Sequence, residues 1–174
     1  MVTAPSSTDM PWYDGPPPNT LAKILDLTTK YRADSVVCLP EEQLLARSEE
    51  AGLASKTAAE ITFSAICALE REVNNGGYDQ LFRNSTRRFV PVEVDSLAEI
   101  GATEAATLAR RAISVLSLGE PVIVDAIETV MSMESDDRDD ALHACDAAYY
   151  AAGFDFAEDL IVFARRNAGQ ILLN

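Results

Sequence analysis

REVNNGGYDQLFRNS, Arg71 to Ser85, interrupts the most apolar helical run of the chain with two asparagines and two glycines. Upstream, Thr57-Ala-Ala-Glu60 has the form of a capping box, in which a hydroxyl and a carboxylate satisfy backbone amides at a helix start. Ile61, Ala65, Ile66, Leu69 and Val73 follow at helical spacing, so a long helix is expected from Thr57 to Asn74 or Asn75. Gly76 and Gly77 accept the left-handed backbone that closes a helix, and Asn75 tolerates it too. A short helix is then expected from Tyr78 to about Asn84, turning Tyr78, Leu81 and Phe82 to the core. Asn74, Asp79, Gln80 and Asn84 could bond helix-end carbonyls and amides across the kink. The alternative is a small polar pocket lined by the same side chains.

Working outward, each helix start carries its own signal. Pro40 with Glu41 and Glu42, Pro91 with Glu93, Thr103 with Glu104, and Pro121 each suit a first turn. Ser135 precedes Asp136 and Asp137, and Asp155-Phe-Ala-Glu158 repeats the capping pattern. Ser35 to Leu39 could form a short extended stretch, but no alternating segment is long enough to argue for a sheet. The pattern predicts an all-α fold, with about eight helices in a single compact domain over 19–174. Ahead of it lies a Pro-rich leader, residues 1–18, with five of the eight prolines, Pro5 among them. Trp12 and Tyr13 are its only evident anchors.

Charge narrows the function. The chain has 174 residues, 28 acidic against 14 basic, and a formal net charge of −14. Direct nucleic-acid binding and attachment to an anionic membrane are therefore disfavoured, whereas basic proteins are attracted. Cys38, Cys67 and Cys145 are odd in number and widely spaced, which suits reduced thiols better than a disulfide framework. With no apolar run near the roughly 20 residues of a membrane span, a cytoplasmic protein is expected. Signals of catalysis are sparse. His143 is the only histidine and cannot share a helical face with Cys145, and the aspartates from Asp136 to Asp140 lack the glycine and terminal glutamate of a calcium loop. Neither a metal nor a cofactor is expected, and the reading is non-enzymatic.

The string from Glu72 to Ser85 resembles the signature of the DNA-mimic-protein C-terminal-like family, bacterial all-α domains mostly of unknown function. The likeness continues more weakly through Pro91 to Ala102 and covers about residues 40–165. It carries the family motif onto Asn74, Asn75, Gly76, Gly77, Tyr78, Asp79, Gln80 and Asn84, and it implies a fold. It also brings in the behaviour of the member that gave the family its name, an acidic dimer that occupies the DNA-binding surface of a transcription factor.

The acidic third of the chain fits that behaviour. Glu120, Asp125, Glu128, Glu134, Asp136, Asp137, Asp139, Asp140, Asp146, Asp155, Glu158 and Asp159 fall in forty residues whose only basic residue is Arg138. Carboxylates three or four positions apart on a helix stand about 5–6 Å from one another, the scale of neighbouring phosphates. Asp125 with Glu128, and Asp136 with Asp139, have this spacing, and His143 and Asp146 continue the second face. These twelve residues are the candidate partner-binding set, and the expected partner is a basic DNA-binding protein such as a transcription factor. Two alternatives stand beside this reading: a small-ligand or catalytic site at the Asn-Asn-Gly-Gly junction, and an immunity or antitoxin-like inhibitor of a basic toxin. Arg83, Arg87, Arg88, Arg110 and Arg111 gather five positive charges, which suits internal ion pairs or a homodimer joined basic edge to acidic face.

Overall fold

The computed structural model describes residues 9–51 and 53–173, except for the side chains of 47–51. The start of the leader, with Pro5, lies outside the described residues. Eight α-helices are present among the described residues, with no strand: α1 (Leu21–Leu27), α2 (Ala33–Ala51), α3 (Ala58–Arg83), α4 (Val90–Glu99), α5 (Thr103–Val115), α6 (Val124–Met131), α7 (Asp136–Ala152) and α8 (Ala157–Arg166). Short 3-10 turns at Leu53–Ser55 and Ser85–Phe89 precede α3 and α4. The fold is all-α. No helix among the described residues is long and apolar enough to cross a membrane.

The chain forms two compact units, and the division falls within α3. One comprises residues up to Ser64 together with Ala157 onward, and the other runs from Ala65 to Phe156. In the first unit α2 packs against α1 and α8, and Ile24, Val36 and Leu39 form a core covered by Tyr13, Leu27, Tyr31 and Leu173. Tyr13 anchors the leader as expected: its amide donates to Ser35 Oγ at 3.1 Å and its ring meets Tyr31 edge-on. Trp12 lies within cation–π reach of Arg32. The capping box is formed, with the Thr57 amide donating to Glu60 Oε2 at 2.9 Å and the Glu60 amide to Thr57 Oγ1 at 3.2 Å. Glu60 Oε1 also accepts the Leu172 amide at 2.8 Å, so the cap of α3 fastens the C-terminal segment.

Two expectations here are corrected. Ser35 to Leu39 is helical, and Pro40 lies inside α2 instead of opening a helix. A proline in a helix interior forfeits a hydrogen bond and crowds the preceding turn. Here its buried ring borders the same small apolar gap as Ile24, Val36, Phe63 and Ile161, a burial that offsets part of that cost.

In the second unit α5 packs against both α4 and α7. Its buried residues are all small, Ala105, Ala106, Ala109 and Ala112, which lets two helices approach it closely. Ser135 caps α7, accepting the Arg138 amide at 3.3 Å. The helix expected from Pro121 begins later, at Val124, with Ile123 extended before it. The β-branched run Val122-Ile123-Val124 favours that extended entry.

Candidate functional site

Two polar regions of the second unit contain the candidate residues: the glycine junction in α3 and the acidic faces of α6 and α7.

At the junction the helical dihedrals fail at Gly76 (φ −159°, ψ 22°) and Gly77 (φ 76°, ψ −174°), so the first segment ends at Asn75, as expected. Gly77 needs its glycine twice over. Its φ is positive, and a Cβ there would fall on the Asp146 carboxyl group, 2.6 Å from its carbon. The close approach lets the Tyr78 amide, freed by the kink, donate to Asp146 Oδ1 at 2.8 Å. A Cβ on Gly76 would collide with the Gln80 side chain. That side chain folds back to donate to Glu72 Oε2 at 2.9 Å, and Asn84 donates to the same oxygen at 2.7 Å. Arg71 stands 3.5 Å from the other Glu72 oxygen. Asp79 pairs with Arg83, whose Nη1 also reaches the Met131 carbonyl at 2.7 Å. Tyr150 donates its hydroxyl to the Val73 carbonyl at 2.6 Å.

The motif is thus a hydrogen-bonded splice between two helical segments, but with different pairings from those expected. Gln80 and Asn84 bond the buried Glu72 carboxylate and not helix ends, while Asn74 and Asn75 remain exposed. Burial acts against the charge on Glu72, yet the Gln80 and Asn84 donors and the Arg71 guanidinium outweigh it and hold the carboxyl below its ordinary range.

On the acidic faces, Glu120, Asp125, Glu128, Glu134, Asp136, Asp137, Asp140 and Asp155 are exposed in this unit. Glu158 and Asp159 are exposed at the start of α8, in the other unit. Glu128 pairs with Arg87 at 2.7 Å, and Asp139, half-buried, pairs with Arg138 at 2.8 Å. Arg138 itself is only 7% exposed. Its Nη1 donates to the Val130 and Met133 carbonyls, both at 2.8 Å, closing the end of α6. The one cation of the acidic third is therefore turned inward.

Asp146 does not belong with these residues. It is 8% exposed, accepts the Tyr78 amide, and has its carboxyl pushed up by burial, with that amide and His143 pulling the other way. A partner docking on α7 cannot use it. His143 is exposed, and no group of acidic, histidine or cysteine side chains among the described residues could hold a metal. Of the arginine cluster, Arg83 and Arg87 are tied down internally, Arg88 lies against Phe89, and Arg110 and Arg111 are exposed.

Two residues had escaped the motif reading. Glu72 is the acceptor around which the junction is organised. Glu93 lies in the first turn of α4 as expected, but it is only 1% exposed. It falls on one helical stripe with Val90 and Leu97, a spacing that could have revealed it.

The model for the family described as DMP19-like protein matches residues 55–167, well over half the chain, with the junction inside the match. The chain belongs to that family. No curated protein and no solved structure shows significant similarity to the chain. Family membership thus rests on the stretch that contains the glycine junction, α6, α7 and α8.

Proposed function

We propose that this DMP19-like chain is a non-enzymatic interaction protein that binds a basic DNA-binding protein in place of DNA. One observation carries the reading: α6, α7 and the residues flanking them expose a run of carboxylates, while the only cation of that stretch, Arg138, is buried against carbonyls. A surface arranged in this way offers fixed negative charge to lysines and arginines that otherwise neutralise phosphates. The usable set is Glu120, Asp125, Glu134, Asp136, Asp137, Asp140 and Asp155, with Glu128 and Asp139 partly neutralised by their arginines. Against a ligand at the junction stands the internal use of its donors, since Gln80 and Asn84 both bond Glu72.

The test is a capture experiment from native lysate at low and high salt, run beside a variant carrying Asp125→Asn, Glu134→Gln, Asp136→Asn, Asp137→Asn and Asp140→Asn. A basic DNA-binding protein should be recovered by the native chain, lost with salt and lost with the variant, whose circular dichroism stays native. Capture that ignores both changes would end this reading. Recovery of a basic toxin in place of a DNA-binding protein would redirect it to inhibition of the immunity kind.

A further inference from the structure

Tyr78 on α3, Glu93 on α4 and Tyr149 on α7 are each 1% exposed. Both carboxyl oxygens of Glu93 and both phenol oxygens are fully buried and have no hydrogen-bond partner among the described residues. The three groups are neighbours. The tyrosine rings meet edge-to-face at 6.2 Å, and Glu93 stands close enough to both phenols to act on each electrostatically. They lie within each other's field, yet none bonds another directly.

A polar atom left unmatched in an apolar interior is costly, and native interiors resolve the cost with internal water making about three hydrogen bonds. Water offers two hydrogens and two lone pairs, which suits two phenols and one carboxyl. We propose that Glu93, Tyr78 and Tyr149 enclose an internal water site among α3, α4 and α7. The site is separate from the acidic faces and independent of any partner. Within it Glu93 acts as the neutral acid: burial alone pushes its carboxyl well above the ordinary range, with no cation offsetting it. Its place on the buried stripe with Val90 and Leu97 means that helical periodicity directs the side chain inward.

A crystal structure of the full chain at about 1.5 Å resolution tests the site directly. The expected result is an ordered water within hydrogen-bond distance of the Glu93 carboxyl and at least one phenol. A direct carboxyl–phenol bond, a dry interior, or a cation keeping Glu93 ionised would overturn it. Thermal unfolding gives a second readout. With water present, Glu93→Leu strands both phenols and lowers Tm by about 4 °C or more, while Glu93→Gln, which still bonds water, shifts it by less than about 2 °C. In the Glu93→Leu background, Tyr149→Phe should then cost less than it does alone, because the shared water has already been lost. A Tm raised or unchanged by Glu93→Leu, or costs that simply add, would mean that no water links these groups.

Discussion

Glu72 and Glu93 are both buried acids of the same unit, yet their surroundings drive them in opposite directions. Glu72 receives two amide donors and a nearby guanidinium, which outweigh burial and keep its carboxyl below its ordinary value of 4.5. Glu93 receives nothing from the described residues, so burial alone pushes it well above 4.5. Glu93 is the deeper of the two, and it also lacks the company that Glu72 has. At the junction two amides meet one oxygen of the acid and a guanidinium stands near the other, whereas on α4 an apolar stripe carries a carboxyl inward with no donor among the described residues to meet it.

The harshest way to break the matched region is Gly77→Ala. A positive φ and a Cβ on the Asp146 carboxyl group should together cost about 3 kcal/mol, measured by urea unfolding. Glu72→Ala comes next at about 2 kcal/mol, because Gln80 and Asn84 lose their shared acceptor. Stability against pH sharpens the comparison. The contribution of Glu72 is present above its unfolded pKa and is lost as pH falls through its lower folded value, so Glu72→Gln should flatten the acid limb. Glu93 has the reverse sign. Its contribution is present below 4.5 and is lost as pH rises through its raised folded value, so Glu93→Gln should flatten the decline above pH 4.5. Asp146, also raised by burial, will keep a residual slope there. The smallest effects belong to Asn74→Ala and Asn75→Ala. Both side chains are exposed and should stay within about 0.5 kcal/mol of the native chain, although they belong to the motif.

Local chemistry made much of the fold legible. The Thr57 capping box, the Ser135 cap and the break at Gly76–Gly77 were all readable, because each is set by residues a few positions apart. Pro40 misled because a proline followed by acids mimics a helix start, and only packing decides whether it lies in the interior instead. Glu93 does stand in the first turn of α4, but its burial was not evident from that role. Asp146 failed similarly. Its spacing from Asp136 and Asp139 suggested an exposed row, but the same spacing places it beside Leu142, Cys145 and Tyr149, on the side that the kinked α3 reaches. That Gln80 and Asn84 would converge on Glu72 required knowing the angle of the kink, which no local pattern encodes.

The kink has one more consequence. It withdraws the Tyr78 amide from the hydrogen-bond ladder of its own helix and gives it to a carboxylate on α7. Deuterium therefore reaches that nitrogen only when α7 moves away or the whole unit opens, whereas the amides around it report on α3. A single slow-exchanging proton on Tyr78 makes the docking of α7 visible from within a different helix.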